Sequence, residues 1–367
     1  MKIDTGDPTP KYLQVKNILR QYLNEQYKAG QKIPTEVELV RQFDVSRNTV
    51  RQAISELEDE GILSKEQGRG TFFLGATPDE QRVDALIGVV TPAPSYIYPQ
   101  IIHGIQEVAY KKRYSIVLGT PARHTENEVE CLEHLLEKNI DGLIFESSGG
   151  FMNIQESKSL RRLKELPIPV VLMGWALEEL NLSYVSLDDV EVGFRATRYL
   201  IEAGHTRIAC VYPGDLLPGI QRYQGYRKAL DAYGVDFDAR LEKPERAWFW
   251  MRTQNIAKLT AELLELGAAR PSAIFYFNDD AALRGYVSIR KAGMRIPDDI
   301  SVIGVDDFEF SALADVPLTT VVNPQRQIGQ WAADIVFDEI EHKGQRIPRQ
   351  IIIKPTIAIR NSVKFIS

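Results

Sequence analysis

Residues 44–63 read DVSRNTVRQAISELEDEGIL, and this stretch decides the fold of the N-terminal part of the chain. Ser46 is a suitable N-cap for a helix, because its hydroxyl can accept a hydrogen bond from a backbone N–H of the first turn. The apolar side chains that follow have the spacing of one buried helix face: Val50, Ala53, Ile54 and Leu57. We therefore predict a tight turn at residues 44–46, followed by an amphipathic helix.

The opposite face of this helix is polar and basic at its N-terminal end. The side chains expected there are Arg47, Asn48, Thr49 and Arg51. Such side chains can bind phosphates or base edges of DNA, and a helix N-terminus itself favours phosphate oxygens. The same pattern also fits an ordinary solvated helix of a small bundle, so this face alone leaves both interpretations open.

The elements on either side favour a DNA-binding module. Residues 9–28 have a helical apolar pattern, and Thr35 with Glu38 can form a capping box that starts a second helix. Beyond Gly61, residues 62–64 and 71–74 are expected to pair as a two-stranded wing around a glycine-rich tip. Three helices and a wing predict a winged helix-turn-helix, a fold that places one helix in the major groove of DNA.

The sequence of this module resembles the DNA-binding domain of the GntR family, over roughly residues 9–75. The resemblance rests on the proline before the second helix, the SRNTVRQA start of the third helix and the GRGTFF wing. It implies DNA contacts by residues of the third helix and the wing: Ser46, Arg47, Asn48, Thr49, Arg51, Gln67, Gly68 and Arg69. Lys11, on the outer face of the first helix, completes our candidate set. Acidic and basic residues are equal in number over residues 1–75, so the basic face must be separated from the acidic end of the helix, residues 56–60.

The whole chain has the composition of a globular protein with two or three domains. It has 367 residues, is 44% hydrophobic and carries a net charge of −6. No apolar run approaches the ~18 residues needed to span a membrane, and the N-terminus lacks the apolar core of a signal peptide. The two cysteines, Cys131 and Cys210, are not spaced as a metal-binding pair. We therefore expect a cytoplasmic protein with reduced thiols, no membrane partner, no metal and no cofactor.

Residues 76–84 are polar, contain proline and are predicted to link residues 1–75, the DNA-binding domain, to a second region, residues 85–367. In that region short apolar runs alternate with amphipathic segments, which predicts parallel sheets covered by helices on both faces. The region is too long for one such sheet. We predict an α/β fold of two doubly wound lobes: an N-terminal lobe of about residues 85–186 and 321–349, and a C-terminal lobe of about residues 187–320 and 350–367.

Ligands of such folds bind at the carboxyl ends of strands, and between two lobes they bind in the cleft. The polar and aromatic residues that follow predicted strands include Tyr98, Glu146, Arg222, Asn278 and Asp306. An arginine, carboxylates, an amide and flat rings suit a ligand with several hydroxyl groups. Each residue also has a purely structural explanation, such as a helix cap for Asn278 or a salt bridge for Arg222.

The second region resembles the effector domain of the LacI/GalR family, which is similar to periplasmic sugar-binding proteins. The stretches that carry the resemblance include GIQRYQGYRKAL at residues 219–230 and IPDDISVIGVDD at residues 296–307. The resemblance implies an effector cleft that contains Tyr98, Glu146, Arg222, Trp250, Asn278 and Asp306. Trp248 is the alternative to Trp250 for stacking on the ligand.

The combination of a GntR-type DNA-binding domain with a LacI-type effector domain resembles the arabinose-operon repressors. It implies a homodimeric repressor that binds a palindromic double-stranded DNA operator and is released by a small sugar, for which L-arabinose or a related pentose is our first expectation. Two alternatives remain: a purine or nucleoside corepressor that tightens DNA binding, and an enzyme that modifies a sugar. The enzyme is disfavoured, because the sequence has no G-x-S-x-G elbow, phosphate loop or histidine pair with metal spacing.

Overall fold

The computed structural model of the chain divides into two compact units, residues 1–84 and residues 85–367. The residues that it describes are 9–66, 69–74, 85–121, 124–149, 157–175, 178–246, 253–342 and 347–366. Several predictions concern residues outside these ranges: the linker 76–84, the wing-tip residues Gln67 and Gly68, and the stacking candidates Trp248 and Trp250.

The N-terminal unit is built from three helices and a two-stranded wing. Helices α1, α2 and α3 span Lys11–Gln26, Glu36–Phe43 and Arg47–Asp59, and strands β1 and β2 span Leu63–Glu66 and Gly70–Phe73. The two strands pair antiparallel, and the helices share one apolar core that includes Leu19, Leu39 and Ile54. The predicted winged helix-turn-helix is confirmed.

Local side-chain chemistry sets the angle between α2 and α3. Thr35 and Glu38 form the predicted capping box at the start of α2. Asp44 ends α2 with a φ of 54°, a left-handed conformation that a short polar side chain tolerates. Ser46 then caps α3 by accepting a hydrogen bond from Thr49 N at 3.2 Å. The chain therefore turns sharply between the two helices, as predicted.

The second unit alternates strands with helices. Its strands are β3 Leu86–Val90, β4 Ser115–Gly119, β5 Gly142–Phe145, β6 Val170–Gly174, β7 Ser183–Leu187, β8 Ile208–Pro213, β9 Glu242–Glu245, β10 Ala273–Tyr276, β11 Ser301–Asp306, β12 Thr319–Val322, β13 Gln350–Ile353 and β14 Thr356–Ala358. Its helices are α4 Tyr98–Lys111, α5 Glu128–Leu136, α6 Lys158–Lys164, α7 Asp189–Glu202, α8 Leu217–Tyr233, α9 Thr253–Leu264, α10 Asp279–Lys291, α11 Glu309–Leu313 and α12 Gln325–Glu341. Among the helices of the described ranges, none is both long and apolar enough to cross a membrane.

These strands form two six-stranded sheets, one in each lobe. The N-terminal lobe has the strand order β13-β7-β6-β5-β3-β4, and its pairs are parallel. The C-terminal lobe has the order β14-β12-β11-β10-β8-β9, in which β14 pairs antiparallel with β12 and the other pairs are parallel. Each lobe has two apolar clusters that pack helices against its sheet. The predicted architecture of two doubly wound lobes is confirmed.

Within the described ranges the chain crosses between the lobes three times, and the third predicted crossing point is wrong. The first crossing follows β7, which ends at Leu187, next to the predicted residue 186. Strand β12 belongs to the C-terminal sheet, so the second crossing follows Val322, close to the predicted boundary at about residues 320–321. Strand β13 pairs with β7, so the third crossing follows Ile353 rather than residue 349. The side chains of β13 alternate between exposed and half-buried, a pattern that does not indicate which of two sheets the strand joins.

Close packing of α7 against α8 fixes the position of an arginine in the C-terminal lobe. A Cβ at Gly193 in α7 would lie 1.8 Å from the carbonyl oxygen of Arg222 in α8, and a Cβ at Gly225 would lie 2.0 Å from that of Val190. Only glycine allows the two helix backbones to approach so closely. This approach brings Asp189, the first residue of α7, alongside Arg222.

Candidate DNA-binding and effector sites

The predicted contact residues of α3 lie on one exposed surface of the N-terminal unit. Arg47, Asn48 and Arg51 are exposed, whereas Thr49 is half-buried. The Thr49 hydroxyl shares a hydrogen bond of 2.8 Å with the hydroxyl of Ser46. This surface therefore presents two guanidinium groups and one amide, the groups that hydrogen-bond guanine and adenine edges in the major groove.

The wing and its surroundings add further cations. Arg69 is exposed and pairs with Glu66 at 2.5 Å, and Lys11 is exposed at the first residue of α1. Lys32, which the sequence did not single out, pairs through its backbone with Phe72 and lays its side chain across Gly70. Its proximity to the wing arises from tertiary pairing, so no local pattern indicates it.

The acidic end of α3 is neutralised by α1. Lys16 Nζ lies 2.9 Å from Glu56 Oε2 and 2.6 Å from Glu60 Oε1, and Arg20 also pairs with Glu60. These ion pairs engage two cations of α1 at the end of α3 that is remote from Arg47. Helix α3 is therefore basic at its N-terminal end, whereas two carboxylates at its other end are paired with cations of α1.

In the C-terminal lobe, Arg222 forms a buried ion pair. Its Nε donates to Asp189 Oδ1 at 2.7 Å, and its Nη1 donates to the carbonyl oxygen of Phe277 at 2.6 Å. The guanidinium carbon lies 4.4 Å from the centre of the Phe277 ring. Burial raises the pKa of Asp189 to about 6, although the charge of Arg222 opposes this shift. Asp189 was not predicted as a site residue; it lies two residues after the end of β7 and is the first residue of α7.

Asp306, the last residue of β11, is buried and connects the two lobes. Its Oδ2 accepts a hydrogen bond from the Tyr96 hydroxyl at 2.6 Å, and its Oδ1 accepts one from Asn323 Nδ2 at 3.1 Å. Burial raises the pKa of Asp306, whereas the nearby charge of Arg222 lowers it. Tyr96 precedes α4 in the N-terminal lobe, and its ring centre lies 4.8 Å from that of Phe308. Tyr96 therefore joins the lobes across the cleft, a role that the sequence analysis missed.

In the N-terminal lobe, Tyr98 and Glu146 lie together. The Tyr98 hydroxyl donates to Glu146 Oε1 at 2.9 Å, and the absence of a side chain at Gly174 leaves room for the Glu146 carboxylate. Asn278 caps α10, because its Oδ1 accepts a hydrogen bond from Ala281 N at 3.0 Å. The Oδ1 atom of Asn278 therefore has the structural role of a helix cap.

The predicted effector residues of the described ranges thus divide between the lobes. Tyr98 and Glu146 belong to the N-terminal lobe, and Arg222, Asn278 and Asp306 belong to the C-terminal lobe. Carboxylate acceptors beside arginine and tyrosine donors can bind a ligand with several hydroxyl groups. Within the same ranges, no group of three or more His, Cys, Asp or Glu side chains is arranged to hold a metal ion.

Comparison with known proteins defines the class of each unit. Residues 11–73 match the bacterial regulatory proteins of the gntR family, and residues 197–363 match the periplasmic binding protein-like domain. A DNA-binding domain followed by a ligand-binding domain of this type defines a transcriptional regulator.

Full-length relatives narrow this class to one family. The chain is 36% identical over 362 residues to the arabinose metabolism transcriptional repressor of Geobacillus stearothermophilus, covering 97% of this chain and 98% of that protein. It is 30% identical over 344 residues to the repressor of the same name from Halalkalibacterium halodurans, with 90% of each chain covered. The chain belongs to this family of transcriptional repressors, in which a GntR-type domain precedes a LacI-like effector domain. A LacI-family regulator from Enterococcus faecium with bound ribose matches with a TM-score of 0.66 at 25% identity, covering 77% of this chain and 100% of that one.

Proposed function

We propose that this protein represses transcription as a homodimer and leaves its operator when a small sugar binds, with L-arabinose or a related pentose as the first candidate. The observation that carries the proposal is the combination, in one chain, of the exposed Arg47 and Arg51 with a cleft that contains Arg222 and Asp306. The names of the two arabinose repressors and the ribose in the LacI-family structure support a pentose. In this proposal the protein acts in the cytoplasm, needs no cofactor and catalyses no reaction.

A dimer contains two copies of the recognition helix α3. In a dimer, two recognition helices can bind half-sites about one helical turn, ~34 Å, or a multiple of it apart on a near-palindromic operator. Exposed apolar side chains on α10 and α11, Val287 and Leu313, support a contact between copies. An exposed ion pair of 2.7 Å between Arg290 and Asp315 joins α10 to the segment that follows α11. Leu313→Asp should therefore yield a monomer in sedimentation experiments.

The geometry of the cleft supports a coupling between sugar binding and DNA binding. The Asp306 side chain accepts from Asn323, and its carbonyl oxygen accepts from Gln325 Nε2 at 2.7 Å, so Asp306 contacts the second crossing between the lobes. A sugar that binds Asp306 would act on this crossing and on Tyr96 together. In a dimer, a change in the angle between lobes would alter the spacing of the two DNA-binding domains, which couples the two sites.

A thermal-shift panel of pentoses, hexoses, their phosphates and nucleosides tests the proposal. The ligand that raises the melting temperature is then added to a gel-shift assay on a DNA duplex that the protein selects from a random pool. Release of the duplex by a pentose supports an inducible repressor. Tighter binding with a nucleoside would favour the corepressor alternative, and conversion of the sugar to a product would favour the enzyme.

A pair of arginine variants tests the cleft itself. Arg222→Lys should still bind the selected duplex but lose the response to the sugar, because a lysine cannot make the two directed hydrogen bonds, to Asp189 and to the Phe277 carbonyl oxygen, that fix the cationic group in the cleft. Arg240→Lys is the matched control, since Arg240 is exposed in the same lobe and pairs with Asp238. Equal responses of the two variants would refute the assignment of Arg222 to the effector site.

A further inference from the structure

Glu36 lies at the centre of a basic surface that we call the DNA face, formed by Arg47, Arg51 and Lys65. Glu36 Oε2 lies 3.4 Å from Arg47 Nε and 3.2 Å from Arg51 Nε, and Glu36 Oε1 lies 3.8 Å from Lys65 Nζ. The three cationic side chains are 62%, 59% and 60% exposed, whereas the Glu36 side chain is 20% exposed. One carboxylate thus pairs with cations of α3 and of the wing.

Glu36 is ionised at neutral pH. Its partial burial acts to raise its pKa, but the hydrogen bond from Arg47 and the charges of Arg51 and Lys65 outweigh burial, and the pKa is lowered. Glu36 is also the first residue of α2, and a helix N-terminus stabilises an anion. A full negative charge therefore lies among the cations that would meet DNA.

A carboxylate at this position opposes binding to DNA of arbitrary sequence. Phosphate contacts supply most non-specific affinity, and each phosphate that binds Arg47 or Arg51 has to compete with Glu36. Recognition of guanine instead requires a guanidinium group that is held in a defined orientation. Glu36 accepts hydrogen bonds from the Nε atoms of both arginines. Their terminal nitrogens therefore remain available to donate to a guanine edge.

We propose that Glu36 is a positioning residue for DNA recognition, which orients Arg47 and Arg51 towards base edges and restrains the binding of the DNA face to phosphates. This inference rests on the proposed function, since it takes α3 as the recognition helix. Glu36 lowers the total affinity for DNA and raises the ratio of operator affinity to non-specific affinity.

The experiment compares Glu36→Gln with Glu56→Gln in the full-length protein. Both variants remove one negative charge from the same domain and take one carboxylate partner from a cation, although Lys16 keeps Glu60 as a second partner when Glu56 is replaced. Glu56 pairs with Lys16 at the opposite end of α3, away from the DNA face. Fluorescence anisotropy gives the affinity of each protein for a random-sequence duplex and for the duplex selected by the wild-type protein, over a series of salt concentrations.

Glu36→Gln is expected to bind the random duplex about two- to thirtyfold more tightly, the range for losing the ion pairs with Arg47 and Arg51 at about 0.2–1 kcal/mol each. Its logarithmic salt dependence should steepen by about 0.9 for each phosphate that is newly neutralised. The selected duplex should gain less, so the ratio of the two affinities should fall, whereas Glu56→Gln keeps the wild-type ratio and slope. A purely structural role of Glu36 at the helix terminus would lower the melting temperature and change neither quantity.

An unchanged slope and ratio in Glu36→Gln, or equal changes in both variants, would overturn the proposed role of Glu36. Equal loss of affinity for the two duplexes would overturn it as well. Failure of the wild-type protein to enrich any sequence would instead refute the proposed function. The random-duplex measurements would, even then, decide whether Glu36 restrains phosphate binding.

Discussion

Replacement of Tyr96 by Phe removes one hydroxyl and tests whether Asp306 holds the two lobes together. The Tyr96 hydroxyl donates to Asp306 Oδ2 at 2.6 Å, while the ring, which the substitution keeps, packs against Phe308. Asp306 is only 4% exposed, so water has little access to replace the lost donor. The variant therefore leaves one carboxylate oxygen without the partner that it has in the structure.

The size of the effect follows from the burial of Asp306. A hydrogen bond to a charged group contributes about 1.5–3 kcal/mol. At about 2–4 °C for each kcal/mol in a unit of this size, Tyr96→Phe should melt about 3–12 °C below the wild type when no sugar is added. A sugar hydroxyl that donates to Asp306 would supply the missing hydrogen bond. The increase in melting temperature on adding sugar should therefore be larger in the variant.

The assay is differential scanning fluorimetry of wild type, Tyr96→Phe and Tyr110→Phe, each with and without the sugar found in the panel. Tyr110 is 82% exposed, so Tyr110→Phe is the matched control and should melt like the wild type. Equal melting temperatures for all three proteins would refute the idea that this hydrogen bond stabilises the effector unit. A lower melting temperature without a larger effect of sugar would show that the ligand does not donate to Asp306.

Two further predictions concern the effector unit. Gly193→Ala should destabilise this unit by about 1–3 kcal/mol in chemical denaturation, because the new methyl group would meet the Arg222 carbonyl oxygen at 1.8 Å. The same variant should also bind the sugar more weakly. An affinity for sugar equal to that of the wild type would contradict the role of this helix contact in placing Arg222. Burial lowers the pKa of His205, whose ring nitrogens contact Ser272 Oγ and the carbonyl oxygen of Lys364. The unfolded chain then takes up the proton more readily, so stability is retained above the unfolded pKa of about 6.5 and declines as the pH falls through the folded pKa. In melts across this pH range His205→Gln should decline less steeply than the wild type, and parallel curves would exclude His205 as the cause.

The winged helix-turn-helix could be predicted closely because its signals are local. The Thr35–Glu38 capping box and the Ser46 cap each depend on residues within three positions along the chain. The buried face of α3 follows directly from its 3.6-residue period. The two lobes could be predicted for a similar reason, since buried parallel strands such as Leu86–Val90 and Gly142–Phe145 are continuous apolar runs.

Strand β7 was harder to predict, because its sequence SYVSL mixes polar and apolar residues although all five are buried. The Ser183 hydroxyl depends on a distant partner, since it donates to Glu339, which lies far along the chain in α12. A strand of this kind does not stand out as an apolar run. Asp189, which follows β7 and pairs with Arg222, was missed for the same reason.

The sequence indicated candidate residues at strand ends, but it could not show which of their atoms already form hydrogen bonds within the protein. Tyr96 and Asp306 are 210 positions apart, so only the fold of the two lobes brings them together. Asn278 was predicted as a ligand residue, yet its Oδ1 is used as a helix cap. Arg222 was also predicted as a ligand residue, and two of its nitrogens already donate to Asp189 and to the carbonyl oxygen of Phe277.

The existing partners of Arg222 and Asp306 indicate how a sugar could act as an inducer. Displacement of Asp189 from Arg222 would leave a buried carboxylate unpaired, which costs several kcal/mol. Replacement of the Tyr96 hydroxyl on Asp306 by a sugar hydroxyl only exchanges one hydrogen bond for another, yet it removes a link between the lobes. A ligand shifts such an equilibrium only by the difference between its affinities for the two arrangements.

Tyr96→Phe, in which that link is already absent, should therefore respond to less sugar. The sugar then no longer has to displace the Tyr96 hydroxyl from Asp306. A gain of about 1.5 kcal/mol, the lower end of the range given above, corresponds to a roughly tenfold lower sugar concentration at half-release of the operator. Gel shifts with increasing sugar measure this midpoint, with Tyr110→Phe as the control. A midpoint equal to that of the wild type would mean that the sugar does not compete with Tyr96 for Asp306.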